Sequence, residues 1–342
     1  MKAVRLHAYH EQPRLEQVPE PTITGPHDVL VRVAGAGLCR TDLHIRDGWF
    51  APAVPTELPL TLGHENAGWV YEVGSAVQDV AVGDAVICHP QLSCGLCPAC
   101  RIGDDMRCAK GLDFTGLTRA GGFAERLRTT DRGVVVLPAG LEPAAVAPHA
   151  DAGLTVMHVV RKAVPLLGAG TRVVVVGVGG LGHIGVQCLR ALTAAEVIAV
   201  DPDPEALTLA ADYGAHHLVV ADDRAVNRVS DLTGGAGAEA VIDFVGEGDA
   251  VSSSLAMVRA RGTYFLVGYG GELRVPTFNV VLPEISIVGN AVGTYDDLRE
   301  LVALTAAGGV SVRTRNYPLD AFADAIADLE KGQMHGRGVL VP

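Results

Sequence analysis

Four cysteines, Cys94, Cys97, Cys100 and Cys108, fall within fifteen residues of this chain. Thiolates at that spacing can wrap one tetrahedral Zn²⁺ and close its coordination shell, leaving no position for water, so such a metal is structural. Unpaired or redox-active thiols are the other reading of the same residues, and the tight cluster disfavours it. A second pattern is Gly177-x-Gly179-x-x-Gly182, with Gly180 and Leu181 in the same turn, between the apolar run Arg172–Val176 and a helical pattern. Glycines there permit a tight turn, close approach of backbone to a pyrophosphate and close helix packing, while the helix N-terminus faces the anion. Asp201 ends the next apolar run, twenty-four positions after Gly177. Its carboxylate can accept hydrogen bonds from adenosine ribose hydroxyls. The stretch Asp201-Pro202-Asp203-Pro204-Glu205 has no cation to meet a 2′-phosphate, so NAD is expected rather than NADP. A βαβ unit that binds nothing is the alternative.

The third constellation is dispersed: Cys39-Arg40-Thr41-Asp42-Leu43-His44, then Gly63-His64-Glu65. A thiolate and an imidazole are good zinc ligands, and a catalytic site needs three protein ligands with an open fourth position. Taken alone, a lone cysteine and a His-Glu pair equally describe packing and surface groups.

Two kinds of chain must position these residues. Up to about residue 150 the pattern is short strands with Gly/Pro turns: Val29–Val33, Ala67–Val73, Ala85–Cys88 and Val134–Leu137. Beyond Asp151 helices and strands alternate, with strands at Arg172–Val176, Val197–Val200, His217–Val220, Ala240–Phe244, Gly262–Val267 and Ile285–Val288. Such alternation predicts βαβ units and a parallel sheet. Two helices, Asp296–Ala307 and Leu319–Lys331, and a strand Gly338–Val341 close the chain.

With 342 residues, 49% hydrophobic and 19% charged, the composition is globular and suits about two domains. A net charge of −12 argues against nucleic-acid partners and anionic membrane surfaces. The longest apolar run, Val173–Leu189, is broken by five glycines and His183, which is wrong for a membrane span. The N-terminal residues lack the apolar stretch of a secretory signal, so the cytoplasm is the expected compartment, with the seven cysteines reduced.

With these motifs in one order, the whole chain resembles the zinc-containing medium-chain dehydrogenase/reductase family of alcohol dehydrogenases. It is most similar to bacterial NAD-dependent secondary-alcohol dehydrogenases, which share Asp151-Ala152-Gly153-Leu154-Thr155. The resemblance implies an α/β fold: a doubly wound Rossmann NAD domain over 153–289, and a β-rich GroES-like catalytic domain from 1–152 and 290–342. That domain carries the four-cysteine zinc lobe, with the active site in the cleft between the two. It implies two Zn²⁺ per chain, the catalytic one held by Cys39, His64 and Asp151. Many members have cysteine where this chain has Asp151; a carboxylate is an accepted ligand and keeps the ligand charge at −2.

By the same resemblance Glu65 sits behind the metal and approaches it during ligand exchange, and Asp42 orients His64. Thr41 and His44 relay the proton while hydride leaves a zinc-bound alkoxide for NAD, in the reversible oxidation of a secondary or aryl alcohol to ketone or aldehyde. Arg40 and Arg337 are implied near the pyrophosphate, and Thr155 beside the nicotinamide. Trp49, Phe50, His89 and Tyr295 fall where the substrate pocket is expected, although interdomain packing describes these aromatics equally well. Family members are dimers or tetramers, and Ile285–Thr294 resembles the segment where NAD-domain sheets pair, so a homodimer or homotetramer is expected.

Three rivals remain at this point. A polyol or sugar dehydrogenase needs a pocket rich in hydrogen-bonding groups, against which Trp49-Phe50 argues mildly. A zinc-free quinone or enone reductase needs neither cysteine set. A non-catalytic NAD- and zinc-binding protein needs no relay. Zinc content of two, one or none per chain separates the enzyme, the binder and the reductase.

Overall fold

The computed structural model describes residues 1–54 and 56–342. The chain forms two compact units, one of Met1–Leu154, Gly293–Ala306 and Val312–Pro342, the other of Thr155–Val292 and Ala307–Ser311.

The first unit is built on β-structure. Among the described residues, its larger sheet has seven strands in the order Thr314–Pro318, Arg337–Val341, Asp28–Leu38, Glu65–Val73, Ala85–Cys88, Val134–Val136, with Arg126–Thr130 also pairing on Asp28–Leu38. A smaller sheet joins Arg14–Gln17, Lys2–Leu6 and Leu60–Thr61. The long strand Asp28–Leu38 starts with β-branched residues buried on the core side and Arg32 exposed, where it stacks on its cross-strand partner Trp69 at 4.7 Å. Past Val33 it is buried on both faces, and glycines replace bulk. A Cβ on Gly35 would stand 2.8 Å from Val339, so only glycine admits the neighbouring strand there. The strands Lys2–Leu6 and Arg126–Thr130 went unpredicted because charged residues alternate with the buried Ala3, Val4, Leu6, Leu127 and Thr129.

The second unit carries a six-stranded parallel sheet in the order His217–Val220, Glu196–Asp201, Arg172–Val176, Ala238–Asp243, Val258–Leu266, Ser286–Gly289. Numbered along the chain that order is 3-2-1-4-5-6, the doubly wound arrangement, in which strand order reverses beside the first strand. Its central strands read as nearly unbroken Val and Ile because helices cover both faces. Val173, Val174, Val175, Val197 and Ile198 are wholly buried, each worth roughly 1.5–3 kcal/mol of transfer free energy. No helix among the described residues is long and apolar enough to cross a membrane.

Candidate active site

Strand Asp28–Leu38 delivers Cys39 to the start of a short helix, Arg40–Arg46. The Cys39 N–H donates to Oδ2 of Asp42 (2.9 Å), so the helix is capped by a carboxylate from its own first turn. The other oxygen of Asp42 stands 3.3 Å from Nδ1 of His64. One buried carboxylate thus orients both Cys39 and His64. Gly63 before the histidine has φ +98°, and a Cβ there would overlap the Phe123 ring, so the turn that presents His64 requires glycine.

Glu65 opens strand Glu65–Val73 directly opposite Gly37. A side chain on Gly37 would overlap Oε2 of Glu65; the missing Cβ is the space the carboxylate occupies. Oε1 of Glu65 accepts the Ala152 N–H (3.2 Å) and meets Nη2 of Arg337. Asp151, one residue before Ala152, places Oδ2 3.5 Å from Nε2 of His64 and 4.0 Å from Sγ of Cys39. Ligand atoms of Cys39, His64, Glu65 and Asp151 all lie within 4.8 Å of one another. Zinc bonds of about 2.0–2.3 Å set tetrahedral ligand separations of roughly 3.3–3.8 Å, which this cluster approaches.

The chemistry of the cluster fits a metal. Nδ1 of His64 faces Asp42, while Nε2 of His64 and Oε2 of Glu65 are buried without a hydrogen bond, a costly state that a cation relieves. Burial opposes protonation of His64, yet Asp42 and Asp151 outweigh it and raise its pKa well above the ordinary value. The pocket therefore favours positive charge at the imidazole. Burial pushes Glu65 up to about 7 against the pull of Arg337. Arg337 is buried too, and the carboxylate of Glu65, then Cys39, keep its guanidinium charged.

The four-cysteine lobe is a local structure. The Sγ atoms of Cys94, Cys97 and Cys108 each accept a backbone N–H at 3.4 Å, from Cys97, Ala109 and Cys94 respectively. Such bonds favour thiolates, and the Ala109 N–H, then that of Cys100, brings Cys97 down to about 6. The sulfurs of Cys97 and Cys100 are 3.4 Å apart, and all four cysteines form one ligand group. Asp105, which nothing in the sequence singled out, sits inside this lobe and accepts the Tyr295 N–H on both oxygens (3.2 and 3.1 Å).

The expected pocket residues separate into two groups. Trp49 lies flat on His44, ring centroids 4.2 Å apart at 12°, and is half-exposed; Phe50 follows it. His89 is buried, Nδ1 2.9 Å from the Gln91 carbonyl and Nε2 3.0 Å from that of Gly293. The Tyr295 hydroxyl donates to the Val134 carbonyl (2.9 Å), and the residue borders a surface cavity of about 470 Å³ shared with His27, Asp79 and Arg132. Both polar tips are therefore turned onto backbone carbonyls. Thr41 and His44 stand three residues apart on helix Arg40–Arg46, on one face of it; Arg40 is exposed.

In the second unit, Gly177 takes φ +80° and donates its N–H to the Val200 carbonyl (2.9 Å). A Cβ on Gly182 would overlap the Gly177 carbonyl, and one on Gly179 would meet nothing within 4 Å. The turn is thus closed on the protein side and open at Gly179, as approach of a pyrophosphate requires. Gly180 and Leu181 are half-exposed beside it, and the helix Gly182–Leu192 begins there. Asp201 accepts the Val178 N–H on Oδ2 (2.7 Å) and the Asp203 N–H on Oδ1 (2.9 Å), so it also braces the turn. Burial pushes its pKa up, against those two N–H groups. Its remaining lone pairs suit ribose hydroxyls. Thr155 is buried in the first turn of helix Ala152–Ala163.

The alcohol dehydrogenase GroES-like domain family matches residues 25–139, and the zinc-binding dehydrogenase family matches 180–307. An NAD-dependent alcohol dehydrogenase of Sulfurisphaera tokodaii is 33% identical over 350 residues, covering all of both chains. An alcohol dehydrogenase of Geobacillus stearothermophilus is 36% identical over 99% of each. The crystal structure of the alcohol dehydrogenase from Aeropyrum pernix superimposes with a TM-score of 0.97 at 45% identity, covering 100% of both. NAD and two zinc ions are the cofactors of the present chain, fitted by its glycine turn and its two ligand groups. Likeness of this reach, at these identities and over both units, leaves one conclusion: the chain belongs to the zinc-type medium-chain alcohol dehydrogenases and is an NAD-linked oxidoreductase acting on alcohols.

Proposed function

We propose that Cys39, His64 and Asp151 hold the catalytic zinc, that the four cysteines hold the structural one, and that the substrate is a secondary or aryl alcohol. The observation that carries the assignment is the position of Glu65. It belongs to the same ligand group, but Arg337 and the Ala152 N–H hold one of its oxygens back. Three ligands of total charge −2 then remain, with a fourth position for substrate. Zinc in such a site supplies Lewis acidity that makes an alcohol's hydroxyl proton labile near neutral pH, and NAD supplies the hydride acceptor.

The chain's own residues do the rest. Asp42 holds Nδ1 of His64, which leaves Nε2 to face the ligand group. The Thr41 hydroxyl accepts a proton from the substrate oxygen and passes its own to His44, one turn along the same helix face. Trp49, stacked on the imidazole, fixes the ring that receives it. In the second unit Asp201 accepts ribose hydroxyls, and Asp203 and Glu205 beside it repel a 2′-phosphate. Arg40, exposed at the helix start, is assigned to the pyrophosphate, and Thr155 to the nicotinamide side. Arg337 acts first through Glu65.

Trp49 and Phe50 present apolar rings and few hydrogen-bonding groups, which favours aryl and simple secondary alcohols over polyols. NADH absorbance across a panel of such alcohols tests this: kcat/KM should be at least about tenfold higher for them than for sugars and polyols. A larger value for polyols overturns the substrate assignment.

A homodimer or homotetramer is supported by the edge strand Ser286–Gly289 and the neighbouring exposed Phe278, Val281 and Leu282. Sedimentation of a stable monomer removes it. Four of the seven cysteines gather in one metal-ligand group, the use of thiols that a reducing cytoplasm favours over disulfides.

A further inference from the structure

We propose that Tyr264 is a positioning residue for NAD, acting through Asp243 and Val245 on the glycine turn. Strand Ala238–Asp243 ends in a carboxylate that is wholly buried. Oδ1 of Asp243 accepts the N–H groups of Val245 (2.8 Å) and Gly246 (2.9 Å), and Oδ2 accepts the Tyr264 hydroxyl (2.7 Å). Tyr264 comes from the adjacent strand Val258–Leu266, where it pairs with Val241, two residues before Asp243, and is also wholly buried. Burial, then the charge of Asp243, keeps its phenol protonated as the donor.

The turn so held is tightly enclosed. Gly246 has φ +62°, and a Cβ on it would overlap the Gly268 carbonyl. Val245 between them points back at the nucleotide turn: a Cβ on Gly177 would stand 2.6 Å from its Cγ2. The first glycine of the turn is therefore seated against a side chain whose backbone is set by Asp243. Two other braces act on the same turn, Asp201 on the Val178 N–H and Nδ1 of His183 on the Gly179 carbonyl (2.7 Å). Those two hold its backbone polar groups. Val245 alone of the three supplies packing, and its own place depends on a charged hydrogen bond from Tyr264.

The proposal rests on the glycine turn as the NAD site and is tested with the zinc-loaded, full-length enzyme. Tyr264→Phe keeps the ring and removes the donor. KM for NAD should rise about tenfold, the factor that corresponds to one lost charged hydrogen bond, while KM for the alcohol and kcat at saturating NAD stay within about twofold. A merely structural role would lower the active fraction, and with it apparent kcat, without moving KM for NAD. Val245→Ala, which leaves the buried pair intact, should raise KM for NAD by a smaller factor and serves if Tyr264→Phe does not fold. Unchanged KM for NAD in either folded variant, or equal losses toward NAD and alcohol, overturns the proposal. Wild-type protein titrated with NAD in parallel keeps the two ideas apart: absence of binding there removes the NAD site itself.

Discussion

The two metal-ligand groups lie in the same unit and are built in opposite ways. The four-cysteine lobe draws every ligand from Cys94–Cys108, leaves three of its sulfur residues half-exposed, and steadies thiolates with backbone N–H groups of the same loop. The Cys39/His64/Glu65/Asp151 group gathers its ligands from distant segments, buries all but Asp151, and steadies them with charged side chains, Asp42 and Arg337. A contiguous all-thiolate shell closes on its metal. A mixed shell assembled by tertiary structure can hold one ligand, Glu65, in reserve. On the proposed assignment, structural and catalytic metal chemistry divide along the line between local and long-range construction.

Cysteine reactivity should show the largest contrast. In metal-free protein at pH 7, Cys97, with its pKa down to about 6, is mostly thiolate. Cys88, buried opposite Asn66 in the strand beside Glu65–Val73 and pushed up to about 12, is almost wholly thiol. The thiolate fractions differ by about 10⁵, so iodoacetamide followed by peptide mass mapping should label Cys97 first and Cys88 only on unfolding. Zinc loading should protect Cys97; early labelling of Cys88 would break the contrast.

Next in size is the division of labour between the metals. His64→Ala should leave one zinc per chain and lower kcat/KM on the order of 10⁴-fold with little change in melting temperature. Cys97→Ser should also leave one zinc, yet lower the melting temperature by about 5–10 °C and cost only a few-fold in kcat. Metal analysis, steady-state kinetics and calorimetry on both variants check the division. Equal loss of activity in the two would mean the lobe is part of the chemistry.

Gly37→Ala is the finest probe. The added methyl contests the space of the Glu65 carboxylate, so kcat should fall about 10-fold to 100-fold with the lobe's zinc and Cys97 protection intact. Undiminished kcat would show that Glu65 has room to move.

Much of the fold was legible because periodicity is local. The Val/Ile runs of the second unit announced a buried parallel sheet, and Gly177-x-Gly179-x-x-Gly182 announced the turn after its first strand. Helix Arg40–Arg46 was harder to see, since its stability comes from Asp42 capping Cys39 and from packing, with no apolar stripe to mark it. Gly37 and Asp105 carried no motif either. A glycine within an apolar strand was the one available sign of close approach, and it could not say to what. His89 and Tyr295 lay at positions expected to line a pocket, and their bonds to the Gln91, Gly293 and Val134 carbonyls come from chain partners that no spacing identifies.

By itself, then, the sequence determined what depends on neighbours along the chain: the four-thiolate lobe, the glycine turn with its acidic partner Asp201, and the alternation of strands and helices. Tertiary structure alone decided that Asp42 serves both Cys39 and His64, that Arg337 holds Glu65, and that Tyr264 reaches the glycine turn through Asp243 and Val245. The physical reason is range. Turn and periodicity preferences act over a few residues, whereas buried charges find their partners only after the sheets have closed and excluded water, where an unpaired charge is too costly to leave.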